Sequence, residues 1–124
     1  MNRKIRFGVF LPTWDYDPNA GTDNRGGGTP VRWEETPARA KLCEELGYYS
    51  VVVGEHLFRG RGGNILDPWT VLSAVAGMTS KIRLGTFVMC NEFRNPSLFA
   101  RMASTLDIIS GGRLEVGLGA GWMR

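Results

Sequence analysis

Short apolar runs alternate along the chain with longer stretches in which apolar residues recur at helical spacing. Four of the short runs are rich in β-branched and aliphatic residues and have the length of β-strands. These predicted strands are Ile5–Leu11, Tyr48–Val53, Ile82–Met89 and Arg113–Leu118. The first of them is apolar at nearly every position, which is typical of a strand that is covered on both faces.

Three helices are predicted between these strands. The first covers Trp33–Leu46, or begins at Pro37 with Thr36 as its cap, because proline is tolerated only in the first turn of a helix. The second opens at Asp67 and runs to about residue 79, and the third opens at Asn95 and runs to residue 109; a proline follows each cap. The positions expected to be buried are Ala38, Leu42 and Leu46, with Cys43 beside them, then Trp69, Leu72, Val75 and Ala76, and finally Leu98, Met102, Leu106 and Ile109.

The strand–helix alternation predicts an α/β fold with a parallel sheet. Two architectures fit, an open doubly wound sheet and a (β/α)8 TIM barrel, which needs about 250 residues. The chain has 124 residues and stops just after the fourth strand, where an open sheet would normally carry a covering helix. We therefore expect the first half of a TIM barrel, with residues 1–124 as a single partial domain truncated after strand four.

Composition and charge exclude several function classes. The hydrophobic share of 43% and the charged share of 22% are ordinary globular values. The net charge is +3 with scattered basic residues, which disfavours a nucleic-acid partner. Cys43 and Cys90 form no C-x-x-C pair, which argues against a zinc site or a disulfide scaffold and fits the cytoplasm. We find no metal-ligand cluster, membrane span or secretory signal.

Chemically informative residues follow the predicted strands at their carboxyl ends. The last strand empties into Gly117–Gly121, where glycines let a ligand approach the backbone closely. The run is a weak match to the dinucleotide-binding pattern G-x-G-x-x-G, because the third glycine of that pattern would fall at Trp122. Trp14 follows the first strand, at the start of a long polar loop, and is the candidate substrate-binding residue. The alternative is that Trp14 packs under that loop.

Taken together, these motifs resemble the N-terminal half of the bacterial luciferase-like flavin-dependent oxidoreductases, including their deazaflavin (F420)-dependent branch. The resemblance covers nearly the whole chain in the same order and spacing. It implies a TIM barrel, usually dimeric, with the flavin lying across the carboxyl ends of the strands. The stretches that carry it are Gly8–Pro12, Leu46–Leu57, Leu66–Trp69, Ile82–Val88, Phe93–Pro96 and Leu106–Trp122.

The resemblance also implies which residues meet the flavin. It places Glu55 and His56 beside the flavin ring, and Phe87 and Val88 at a strand bulge that backs the ring. In the F420 branch that bulge carries a non-proline cis peptide bond. Ala120, Gly121 and Trp122 would form the strand-four edge of the cofactor site. Members that oxidise sugar phosphates carry a glutamate where this chain has Trp122, so we expect an apolar substrate pocket instead.

His56 is the candidate catalytic residue. It is the only histidine of the chain, and a histidine ordinarily titrates near neutrality, which suits proton transfer. Glu55 would orient the imidazole or bind the cofactor. Neighbouring residues of a strand point to opposite faces, so both side chains can meet one ligand only if the strand has ended by Gly54. Cys90 and Asn91 either line the same pocket or only lead out of the third strand.

The function expected from the resemblance is a monooxygenase or oxidoreductase that acts on a small organic substrate. Its cofactor is either reduced FMN, used with O2, or coenzyme F420, which transfers a hydride; the sequence does not choose between them. The alternative is a non-catalytic half-barrel that self-associates or only binds flavin, since four strands without closure leave open edges.

Overall fold

Parallel strands alternate with three helices in the computed structural model, which describes residues 5–14, 32–57 and 65–121. A single turn of 3₁₀ helix, Asn91–Phe93, precedes the last helix. The strands are β1 (Gly8–Phe10), β2 (Ser50–Val53), β3 (Arg83–Thr86), β4 (Met89–Cys90), β5 (Leu114–Glu115) and β6 (Leu118–Gly119), and the helices are α1 (Glu35–Glu45), α2 (Pro68–Met78) and α3 (Pro96–Ser110).

The main sheet has the order β1-β2-β3-β5, and each neighbouring pair is parallel. Its register aligns one row of apolar side chains across all four strands: Val9, Val51, Leu84 and Leu114. A second, two-stranded parallel sheet joins β4 to β6. The predicted α/β fold with parallel strands is confirmed. That residues 1–124 form one partial domain truncated after strand four stays a prediction.

The third and fourth predicted strands are each interrupted. The break in the third strand falls at Phe87 and Val88, where the resemblance predicted a bulge, whereas no pattern predicted the break in the fourth strand. β3 ends at Thr86 and resumes as β4 after Phe87 and Val88, whose shared peptide bond is cis. The Thr86 hydroxyl donates to the carbonyl of Gly117 at 2.9 Å and accepts its N–H at 2.8 Å. Where the main sheet ends and the second sheet begins, the Thr86 hydroxyl therefore makes the hydrogen bonds to Gly117 that a backbone group of a neighbouring strand would otherwise make.

The core lies between the main sheet and the helices. Most of the helical residues in this core come from α2, and the positions of α2 that were predicted to face inward are confirmed as buried. Cys43 is buried as expected. The buried apolar residues are Leu11, Ala40, Cys43, Val51, Val53, Trp69, Val71, Leu72, Val75, Ala76, Ile82, Leu84, Met89 and Leu106.

The predicted buried stripe of α1 was wrong. Ala38 is exposed, as are Leu42 and Leu46 with 52% and 66% of their surface. The buried residues of this helix are instead Thr36, Ala40 and Cys43. These side chains are small, so the helix packs closely on the sheet.

The alternative start of α1 at Pro37 is also wrong. The helix begins at Glu35, and the Thr36 hydroxyl is not a cap but donates to the carbonyl of Pro12 at 2.6 Å. This bond ties the first turn of the helix to the segment that follows β1. It therefore helps to fix the rotation of α1 about its axis.

Two further burial expectations need correction. On α3, Leu106 is buried and Met102 packs against the core, but Leu98 and Ile109 are exposed. β1 is shorter than predicted and is not covered on both faces, since Phe10 within it is 40% exposed. The exposure at β1 arises because the described helices cover only one face of the sheet.

A polar cluster lies on the face of the sheet opposite Leu84. The Arg83 guanidinium contacts the Glu115 carboxylate at 2.5 Å, and this hydrogen bond raises the pKa of Arg83. The Tyr49 hydroxyl donates to Glu115 at 2.8 Å, and Arg6 lies over the Tyr49 ring. Alternation of side chains along β3 puts Arg83 on the open face and Leu84 on the helix-covered face.

No helix among the described residues is both long and apolar enough to cross a bilayer.

Candidate functional site

A cleft of about 740 Å³ opens at the carboxyl ends of the strands. Its volume lies in the range of small-molecule and cofactor sites. The cleft is built by segments that follow β1, β2, β3 and β6, and by the turn before α3. Its lining residues are Phe10, Trp14, Gly54, Glu55, His56, Leu57, Phe87, Val88, Cys90, Glu92, Phe93, Gly119, Ala120 and Gly121.

Aromatic side chains form one wall of the cleft. The Phe10 ring meets Trp14 edge-on with centroids 5.8 Å apart, and meets Phe87 edge-on at 6.1 Å. Trp14 is held in place by an antiparallel bridge to Ile65. Edge-to-face contacts of this kind are favourable for aromatic rings. They leave apolar surface directed toward the cleft, and 65% of Phe87 is exposed.

Residues without bulky side chains form other parts of the wall. A Cβ atom at Gly54 would lie 3.3 Å from the Phe87 carbonyl, so glycine lets the bulge approach the end of β2. Gly119, which ends β6, lines the cleft together with Ala120 and Gly121, and Gly121 has a φ of 83° that disfavours a side chain. The backbone of residues 119–121 is therefore open to a ligand.

Glu55 and His56 both reach the cleft because β2 ends at Val53. The strand has thus ended before Gly54, as the sequence argument required. The two residues differ in exposure: His56 is half-buried at the cleft wall, whereas the Glu55 side chain is only 3% exposed.

The buried Glu55 carboxylate has two strong partners among the described residues. It accepts the backbone N–H of Cys90 at 2.8 Å, and its other oxygen pairs with the Arg94 guanidinium. Arg94 also donates to Asp67 at 3.0 Å. Asp67 in turn caps α2 by accepting the N–H of Thr70 at 2.8 Å, which confirms its predicted cap role.

The structure brings the predicted site residues together, except for one that lies outside the described residues. The candidates at the cleft are Trp14, Glu55, His56, Phe87, Val88, Ala120 and Gly121. Trp122 lies outside the described residues. Cys90 lines the cleft, whereas Asn91 is not among the lining residues. The catalytic, cofactor-binding and substrate-binding roles of these residues stay predictions. Most of the polar loop after Trp14 also lies outside the described residues.

Sequence reasoning missed several lining residues and one partner. Phe10 belongs to a run that is apolar throughout, so the pattern gave no sign that its ring faces a cleft. Glu92 and Phe93 lie in a 3₁₀ turn that no periodicity predicted. Arg94 lies in Phe93–Pro96, one of the stretches that carry the family resemblance, but no role was predicted for it. Its pairing with Glu55 spans 39 residues of sequence. No local signal identifies such a contact.

The chemistry of the cleft suits a flat, apolar ligand with a polar edge. Its aromatic wall offers apolar surface, and His56 and the open backbone near Gly121 offer hydrogen-bonding groups. Neither lysine nor arginine occurs among its described lining residues.

Comparison with known proteins gives a consistent result. The family model described as luciferase-like monooxygenase matches residues 5–124. The F420-dependent glucose-6-phosphate dehydrogenase of Amycolatopsis mediterranei is 37% identical over 87 residues, which are 66% of this chain and 26% of that protein. The chain spans well under half the length of the curated relatives that it matches.

Solved structures agree with this result. The monooxygenase RslO1 from Streptomyces bottropensis superposes with a TM-score of 0.76 at 34% identity, over 95% of this chain and 34% of that one. The oxygenating constituent of 3,6-diketocamphane monooxygenase from Pseudomonas putida, solved in complex with FMN, gives a TM-score of 0.74 at 20% identity, over 95% and 30%. The latter likeness shows the fold alone.

Proposed function

We propose, since this chain belongs to the luciferase-like monooxygenase family, that it forms the part of a flavin-dependent oxidoreductase that holds the flavin ring. The cofactor would be reduced FMN, used with O2, or coenzyme F420. The substrate would be a small organic molecule. Relatives of both reaction classes support this proposal, because one is F420-dependent and another, at 34% identity, is a monooxygenase.

One observation carries the proposal: the cleft combines an apolar aromatic wall, an open glycine edge and a histidine at the carboxyl ends of parallel strands. A flavin ring is planar and largely apolar on its faces, with polar atoms along its edges. The bulge at Phe87 and Val88 offers an apolar surface for one face of such a ring. The backbone at Ala120 and Gly121 offers hydrogen bonds to an edge. These residues therefore fit the group.

Bound flavin supplies the redox chemistry, either oxygenation through O2 or hydride transfer. The side chains of this chain do the rest. Phe10, Phe87 and Val88 orient the ring and exclude water from one side of it. His56 takes or gives a proton at an imidazole nitrogen. Trp14 lies at the outer end of the aromatic wall, where it would contact an apolar part of the substrate.

Flavin binding is the first test. The purified protein is titrated with FMN and with F420, and the quenching of flavin fluorescence reports the dissociation constant. We expect saturable binding, and we expect Phe87→Ala to weaken it by about tenfold, because the substitution removes a large apolar contact. Leu42→Ala is the control, since Leu42 is exposed on α1 away from the cleft. No binding of either flavin contradicts the proposal.

Turnover then tests His56. If the protein converts a small organic substrate with reduced F420 under anaerobic conditions, the reaction is hydride transfer. If it converts the substrate with reduced FMN and the product forms only when O2 is present, the reaction is oxygenation. We expect His56→Ala to lower kcat by about 100-fold or more, as is usual for a general acid or base, while flavin affinity changes little. Unchanged turnover in His56→Ala rules out the proposed catalytic role.

A second candidate function is self-association of a half-barrel that binds flavin without catalysis. Its support is the exposed apolar surface of β1 and its flank, where Ile5 and Phe7 are 81% and 65% exposed. Surfaces of this kind mark association sites. Sedimentation velocity on the 124-residue chain distinguishes a monomer from a dimer, the state that resemblance predicts for the family. The cytoplasm stays the expected location.

A further inference from the structure

We propose that Arg94 is a positioning residue that sets the geometry of the cleft wall through Glu55. The inference rests on the proposed function, because it assigns a residue to the site that would hold the flavin. Arg94 is not among the lining residues of the cleft. It acts one layer behind them, through the carboxylate that immediately precedes His56.

The Glu55 carboxylate is the centre of this arrangement. Its side chain is 3% exposed and that of Arg94 is 16% exposed, so the ion pair is largely shielded from water. A buried carboxylate is costly unless a cation and hydrogen-bond donors compensate its charge. Arg94 provides the cation, and the N–H of Cys90 provides a further donor at 2.8 Å.

The same guanidinium joins three segments of the chain, two of which line the cleft. One nitrogen binds Glu55, in the segment after β2, and the other binds Asp67, which caps α2, at 3.0 Å. Arg94 itself follows β4, in the turn whose residues Glu92 and Phe93 line the cleft. The segment that carries Glu55 and His56 is thereby tied to the turn that carries Glu92 and Phe93. A movement of Arg94 would displace both of these lining segments together.

Arginine is required for this role by its shape as well as its charge. Its planar guanidinium presents donors in a rigid fork, so two nitrogens can serve two carboxylates at once. Lysine keeps the charge but holds it at a single point on a flexible stem. We therefore expect Arg94→Lys to retain the compensation of Glu55 and to lose the bridge to Asp67.

The test measures local order and flavin affinity in the same variants. Amide hydrogen exchange followed by NMR reports the Cys90 N–H, and the exchange of the core amide of Leu84 reports global unfolding. In Arg94→Met we expect Cys90 exchange to accelerate by about tenfold or more relative to Leu84, and FMN affinity to fall by about tenfold. Arg94→Lys should give a smaller change in both quantities. Arg101→Met is the matched control, since Arg101 is exposed on the same helix that follows Arg94.

A double variant separates charge compensation from loss of bulk. In Arg94→Met combined with Glu55→Gln, the uncompensated charge is gone while an amide oxygen remains to accept the Cys90 N–H. We expect this pair to recover part of the protection at Cys90. Asp67→Asn keeps an oxygen for the helix cap and weakens only the bridge, so it provides a milder variant should Arg94→Met fail to fold.

The outcomes are separable from those of the proposed function. If the wild-type protein binds no flavin, the proposed function fails, and the exchange measurements still decide the positioning role. If Cys90 and Leu84 accelerate equally in the Arg94 variants, the residue contributes only global stability and the inference is overturned. The same holds if the Arg94 variants match Arg101→Met in both exchange and FMN affinity.

Discussion

The carboxylate of Glu44, at the end of α1, accepts the backbone N–H of Ile82 at 2.8 Å, one residue before β3 begins. The same carboxylate accepts the N–H groups of Lys81 at 2.6 Å and Ser80 at 3.0 Å. One side chain thus holds three consecutive amides of the loop that enters the sheet. This contact fixes α1 against the start of β3.

Glu44 makes stability depend on pH in a predictable window. Burial alone would raise its pKa, but the N–H groups of Ile82, Lys81 and Ser80 outweigh that effect and lower the pKa from 4.5 to about 2. A lowered folded-state pKa means that the contribution is complete above about pH 4.5 and is lost as the pH falls toward 2.

We therefore expect Glu44→Gln to destabilise the protein by about 1 kcal/mol at neutral pH, comparable to the loss of a helix cap. The difference from wild type should shrink between pH 4.5 and 2. Urea unfolding across this range measures it. Glu45→Gln is the neighbouring control, because Glu45 is exposed. A difference that stays constant with pH would contradict the assignment.

Arg113 is a buried cation held by carbonyl groups. Its guanidinium donates to the carbonyls of Ser110 at 2.6 Å, Ala76 at 2.9 Å, Ile82 at 3.0 Å and Thr79 at 3.1 Å. Two of these carbonyls lie at the end of α2, where the last residues of a helix lack intrahelical partners. Arg113 therefore satisfies the end of one helix and anchors the start of β5.

Replacing Arg113 should destabilise the fold strongly. We expect Arg113→Met to cost about 3 kcal/mol, since several buried acceptors lose their donor together. Arg101→Met is the matched control and should change the free energy of unfolding by less than about 0.5 kcal/mol, because Arg101 is exposed. Denaturant titration of both variants makes the comparison; similar losses would show that the buried contacts contribute little.

Gly117 and Gly77 should respond to alanine in opposite directions. A Cβ at Gly117 would lie 2.5 Å from the backbone carbonyl oxygen of Thr86, so the end of β3 and the link between β5 and β6 would have to move apart. We expect Gly117→Ala to cost about 2 kcal/mol through this clash. At Gly77, in α2, nothing lies within 4 Å of the added atom, so Gly77→Ala should stabilise by about 0.5–1 kcal/mol.

Thermal unfolding of the two glycine variants measures both effects. Flavin titration adds a second readout, since displacement of Gly117 would shift the glycine edge of the cleft at Gly119 and Gly121. An unchanged stability in Gly117→Ala would mean that the junction between the sheets relaxes freely.

Where sequence prediction succeeded, local signals and packing agreed. The caps at Asp67 and Asn95 accept the expected backbone N–H groups, and both helices start at the following proline. α2 is apolar over much of its length, and the positions predicted to face inward are buried. In α1, by contrast, Leu42 is the most apolar residue and yet is exposed, as is Leu46 immediately after the helix. Bonds from Thr36 and Glu44 to distant loops fix its rotation.

The sequence by itself determined the alternation of parallel strands and helices, the family, and the set of residues that follow the strand ends, His56 and Glu55 among them. Propensity, caps and motif spacing are local properties, so they can be read along the chain. Only the tertiary structure decided which faces are buried, where the fourth strand breaks, and that Glu55 is paired with Arg94 behind the cleft. Those outcomes depend on contacts between residues more than 20 positions apart, which no local pattern encodes.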